Sequence, residues 1–71
     1  MGNTVHLQYY GKSAATEAEN LKPGSVVRWN CGETSTVAEV LPRGKKQLTV
    51  KFDGGFERVF SRTRLVAFVS L

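Results

Sequence analysis

Residues 47–60, Gln-Leu-Thr-Val-Lys-Phe-Asp-Gly-Gly-Phe-Glu-Arg-Val-Phe, leave this chain little choice of fold. Leu48, Val50 and Phe52 alternate with Gln47, Thr49 and Lys51, the period-2 pattern of a strand with one buried face. Asp53-Gly54-Gly55 follows, and glycine reaches the positive φ angles of a tight hairpin turn at little steric cost. Residues 56–60 then run back with large side chains at every second place. This reading sets Val59 inward with Leu48, Val50 and Phe52. Lys51, Arg58 and Phe60 then point outward, as a basic surface with an aromatic ring in it. In a second reading, Phe56 or Phe60 packs on the N-terminal strand.

The other segments read as cover for this hairpin. Residues 4–10 alternate Val5, Leu7 and Tyr9 with His6, Gln8 and Tyr10, which suits an edge strand, and residues 1–3 read as frayed. The adjacent Tyr9 and Tyr10 would point to opposite faces, one packed and one exposed. Residues 13–21 are rich in Ala and Glu, good helix formers, with Ser13 placed as an N-cap. The segment has little apolar surface, so a short helix and a loop are both open. Pro23-Gly24 breaks the chain. Residues 25–30 read as a strand with Val27 and Trp29 on one face, and residues 36–41 as another with Ala38 and Val40 inward. Pro42-Arg43-Gly44-Lys45-Lys46 is a basic turn. Residues 61–64 form one polar turn, and residues 65–71 close the chain as an apolar strand. The expectation is all-β: a small five-stranded antiparallel barrel over residues 22–71, preceded by a strand and a short helix or loop over residues 1–21, in one domain.

Seventy-one residues bury only about 60% of their unfolded surface, so no deep substrate cavity is expected. No run reaches the ~18 apolar residues of a membrane span, and no basic segment followed by an apolar run marks a signal peptide. A secreted domain this small usually carries several paired cysteines; Cys31 is the only one here, which favours a cytoplasmic setting. Packing must then supply the stability, or a further contact such as a homodimer interface. The net charge of +4 is unevenly spread. Residues 1–41 hold three basic and four acidic side chains, whereas residues 42–71 hold seven basic and two acidic ones. A basic half of this kind points to a polyanionic partner.

Gly24-Ser25-Val26-Val27-Arg28-Trp29 resembles the opening strand of SH3-like barrels of the Tudor and KOW kind. Val50-Lys51-Phe52-Asp53-Gly54-Gly55 is similar to the Tudor pattern of apolar strand, aromatic, aspartate and glycine turn. Residues 57–59 and Leu65 look like that family's closing section. The resemblance covers about residues 22–69 and is one of pattern and spacing. The KOW likeness implies contact with RNA or ribosomes through basic loops. The Tudor likeness implies an aromatic cage for methylated cations. This sequence departs from the cage pattern, since residues 30–35 hold no aromatic and the Asp-Gly turn lacks the usual tyrosine. Trp29, Phe52 and Phe56 are the only nearby rings.

Catalysis finds no support in the residues. His6 is the only histidine, with nothing to place it beside a nucleophile, and Cys31 has no CxxC partner. One His and one Cys cannot complete a zinc site, and Gly54-Gly55 is explained by turn chemistry. No cofactor or metal is expected. The function expected is therefore non-enzymatic binding of nucleic acid or a nucleoprotein. Arg43, Lys45, Lys46, Lys51, Arg58, Arg62 and Arg64 are the candidate phosphate contacts. Tyr9, Tyr10 and Phe60 are the candidate stacking or protein contacts. The alternative is a protein-interaction module, an adaptor or inhibitor docking by an edge strand or an aromatic patch.

Overall fold

The alternation at residues 47–52 forms the strand it predicts, and the sheet grows outward from it. The computed structural model describes residues 3–71. The strands are β1 (Asn3–Leu7), β2 (Gly11–Glu17), β3 (Val26–Arg28), β4 (Thr34–Arg43), β5 (Gln47–Phe52), β6 (Glu57–Ser61) and β7 (Leu65–Ser70). All pairings are antiparallel, in the order β1-β2-β7-β3-β4-β5-β6. The sheet is a curled half-barrel with β1 and β6 as its end strands. The all-β expectation holds, but the sheet is a half-barrel of seven strands where a five-stranded barrel with one preceding strand was expected, and β2 is the added strand. The expected fraying at residues 1–3 falls, for the first two, outside the described residues.

Leu48, Val50 and Phe52 are buried together with Val27, Val37, Leu21, Ala18, Phe60 and Val66 in one core. Trp29 and Val40 pack against it half-buried. Burial of each Val, Leu or Phe contributes roughly 1.5–3 kcal/mol, which is how so small a sheet holds its curl.

The segment expected as a helix or loop is mostly β2. Its burial alternates, with Lys12 and Ala14 exposed and Ser13 and Ala15 buried, before a single 3₁₀ turn at Ala18–Asn20. Helix propensity loses here because a helix of about eight residues without an apolar stripe gains almost nothing from packing. As a strand, the segment gains a ladder on both sides. Residues 11–15 pair with β1 and residues 15–17 with β7. Small side chains suit this position, since Ala15 lies opposite Ala67, both buried. The 3₁₀ turn is tied to the β6–β7 turn, where Ala18 N–H donates to Arg64 O at 2.9 Å and Glu19 N–H to Arg62 O at 3.0 Å. At the other end the β1–β2 tip reaches the β3–β4 turn, where Tyr9 N–H donates to Asn30 O at 3.0 Å.

Two details of facing differ from expectation. In β4, Val37 pairs with Phe52 and Glu39 with Lys51, so Ala38 is an extra, bulged residue. The bulge shifts the alternation, burying Val37 and exposing Ala38, while Val40 stays half-buried as expected. In β6, Phe60 is inside (9% exposed) and Val59 outside (45%). The cause is turn length. Phe52 N–H donates to Phe56 O at 2.9 Å, which closes a three-residue turn, Asp53 to Gly55, and sets Lys51 opposite Glu57 and Leu48 opposite Phe60. A two-residue turn would have set Val59 opposite Val50. One step of register moves every side chain of the strand to the other face.

Candidate functional site

The two polar turns of the basic half meet at one end of the β4–β5–β6 sheet. Residues 44–46 connect Arg43 to Gln47, and Gln47 pairs with Ser61 at the end of β6. Arg62 then locks the turns together. Its N–H donates to Lys46 O at 2.9 Å and its Nε to Lys45 O at 3.0 Å. Both carbonyls of the basic turn are thereby engaged by the neighbouring turn, and the Lys45 and Lys46 side chains remain exposed. A shallow groove between the turns is lined by Lys45, Lys46, Ser61, Arg62, Thr63 and Glu19. Arg43, Lys45, Lys46 and Arg62 thus stand at one end of the sheet, with Glu19 as the carboxylate of the groove.

The other candidates go elsewhere. Lys51 faces outward as expected, but in a row with Glu39 on β4 and Glu57 on β6. The row carries two carboxylates and one ammonium, so it gives a polyanion nothing net to attract it. Arg58 lies opposite Val50 rather than across from Lys51, and its guanidinium sits over the Phe56 ring, 5.5 Å from the centroid. Phe60 belongs to the core and is not available for stacking. Tyr9 and Tyr10 lie in the turn after β1, so both are exposed (75% and 49%), where a strand would have packed one. Tyr10 is partly covered by the Arg28 guanidinium, 4.1 Å above its ring.

Trp29, Phe52 and Phe56 pack on one another. Phe52 and Phe56 stack at 5.0 Å and 19°, Trp29 meets Phe52 edge-on at 5.4 Å, and Trp29 lies 6.4 Å from Phe56. These are ring-to-ring contact distances, so the cluster caps one end of the core and leaves no gap between the rings for a methylated cation. Trp29 is fixed further by its Nε1, which donates to Ser35 Oγ at 2.8 Å.

Sequence reasoning missed a second basic site. A cleft of about 240 Å³ is lined by Val5, His6 and Leu7 of β1, Arg28, Trp29 and Asn30, Phe60, and Arg64 to Ala67. Arg64 was a candidate, but Arg28 and His6 were not. Arg28 lies on β3 and His6 on β1, strands that are neighbours neither in sequence nor in the sheet. Only the fold-over of the β1–β2 hairpin, tied down through Tyr9 and Asn30, brings them together.

No group of three or more His, Cys, Asp or Glu side chains among the described residues is placed to hold a metal ion. Cys31 is a free, exposed thiol in the β3–β4 turn. Compared with known proteins, the chain matches no family model, no curated protein and no solved structure.

Proposed function

We propose that this protein is a non-enzymatic binding domain of the SH3-like kind that engages nucleic acid, or a nucleoprotein, through the paired turns at the basic end of the sheet. The observation that supports this reading most is the pair of hydrogen bonds from Arg62 to the Lys45 and Lys46 carbonyls. They hold two turns in a fixed relation, so Arg43, Lys45, Lys46 and Arg62 act as one patch. Arg64 adjoins it, whereas Lys51 and Arg58 do not belong to it.

A patch of about four cations that neutralises about four phosphates predicts roughly a hundredfold loss of affinity between 50 and 200 mM salt. The test is an anisotropy titration of labelled single- and double-stranded RNA and DNA across that range. Absence of binding to all four at 50 mM salt removes the proposal. A protein partner is the second reading, and a specific feature favours it. Strand β6 ends the sheet, pairing among the described residues only with β5, and Val59 on its outer face is exposed. Binding by that edge, to a partner or to a second copy, would respond to Val59→Lys and hardly to salt.

A further inference from the structure

The cleft between β1, β3 and β7 differs in kind from the basic end of the sheet. It is concave, and among the described residues that line it there are two arginines, a histidine and an asparagine but no carboxylate. The rest of its wall is apolar, including the rings of Trp29 and Phe60 and the side chains of Leu7 and Val66. Its volume of about 240 Å³ lies below the ~300–1,000 Å³ of pockets that take drug-sized ligands, so it admits one small molecule or one residue of a polymer.

The guanidinium groups suit a ligand. Arg28 spends one N–H on Gly32 O at 3.2 Å, and its guanidinium carbon rests 4.1 Å from the Tyr10 ring centroid. Arg64 is exposed, with its guanidinium 5.9 Å from the Phe60 centroid. Each guanidinium carries five N–H donors in a rigid fork. A carboxylate is satisfied by a single fork. Two forks and an imidazole lining one small cleft match a group with three terminal oxygens and more than one negative charge. The half-buried Trp29 ring and the exposed Leu65 side chain beside them match a flat, mostly apolar body.

We propose that this cleft binds a phosphate monoester carried on an aromatic body, of the nucleoside monophosphate class. The phosphate lies between Arg28 and Arg64, and the base or sugar lies against the exposed Leu65 beside Trp29. The ligand is either a free mononucleotide or the 5′-phosphorylated terminal nucleotide of a strand. The site is separate from the groove at Lys45 and Lys46, so either one can fail without the other.

The test is titration of the full chain with AMP, adenosine, inorganic phosphate and a 5′-phosphorylated dinucleotide. It is followed by the fluorescence of Trp29, the only tryptophan, and by backbone-amide NMR. AMP is expected to give a saturable change in Trp29 emission, with amide shifts centred on His6, Arg28, Trp29 and Arg64. Adenosine and phosphate are each expected to bind at least tenfold more weakly. Arg64→Gln, at an exposed side chain, is expected to weaken AMP about tenfold, the effect of one charge-assisted pair, with an unchanged melting temperature. Arg28→Gln is expected to weaken AMP by a similar factor but also to lower the melting temperature, since Arg28 holds Gly32 and Tyr10, and Lys45→Gln/Lys46→Gln to leave AMP binding unaltered. Equal binding of the dinucleotide identifies the strand terminus as the source, and its exclusion identifies the free nucleotide. The proposal is overturned if AMP causes no saturable change, if adenosine binds as well as AMP, if Arg64→Gln has no effect, or if the shifts gather at Lys45 and Lys46 instead.

Discussion

The two ends of the β4–β5–β6 sheet carry similar residues and do different things with them. At one end Arg43 closes β4 beside Lys45, Lys46 and Arg62 on two joined turns, with a single carboxylate, Glu19, in the groove. At the other, Lys51 stands between Glu39 and Glu57, Arg58 lies on Phe56, and Trp29, Phe52 and Phe56 interlock beneath. The first end has charge to spare and little packing, and the second has packing and no spare charge. A count of basic residues along the sequence treats Lys51 and Lys46 alike. Their cross-strand neighbours separate them.

The largest effect expected from this contrast is on stability at the aromatic end. Phe52→Ala removes a buried ring that touches two others and should cost about 3–5 kcal/mol in urea unfolding, enough to unfold most of a domain this small. Retention of a cooperative transition near the wild-type midpoint would show that the three rings do not anchor this end. Next comes binding at the opposite end. Lys45→Gln/Lys46→Gln/Arg62→Gln should reduce affinity for a nucleic-acid oligomer by roughly a hundredfold at 50 mM salt and flatten the salt slope by about three units. A slope equal to wild type would place the partner elsewhere.

The turns sharpen the comparison at a smaller scale. Gly54 sits at φ 102°, outside the region that side chains tolerate, and Gly44 at φ 69°, within reach of asparagine. Gly54→Ala should cost about 1–2 kcal/mol and Gly44→Asn less than about 0.5 kcal/mol, read as shifts in melting temperature. Equal costs would mean that the two turns are equally constrained. Smallest of all, Lys51→Gln should change oligomer affinity by less than about twofold, because two glutamates already balance that charge. A loss as large as that of Lys46→Gln would break the contrast outright.

What the sequence revealed was what depends on near neighbours. The strand at residues 47–52, the glycine turn after it and the basic turn before it are all local patterns, and all three are present. The facing of β6 was not legible, because it turns on whether Asp53 belongs to the turn or the strand. Val37 and Ala38 exchanged places because a bulge is invisible to a strict two-residue alternation. Residues 11–17 have the composition of a weak helix, and only partners on both sides make them a strand. The site divides in the same way. Arg43, Lys45 and Lys46 share one turn in the sequence, Arg62 joins them through hydrogen bonds to backbone carbonyls, and Arg28 and His6 become neighbours only once the sheet has curled.

The central position of β7 also governs how the chain can assemble. β4, β5 and β6 follow one another through short turns, but Ala15 pairs with Ala67 and Glu17 with Leu65, across about fifty residues of chain. Bringing such distant segments together costs loop-closure entropy before any contact rewards it. The meander of β4–β6 is therefore expected to form first and the β2–β7 seam last, with folding in the millisecond-to-second range of high-contact-order β domains. Core truncations at Val50 should slow refolding, whereas Ala67→Gly should mainly hasten unfolding. Stopped-flow traces with the reverse pattern would place the seam in the nucleus instead.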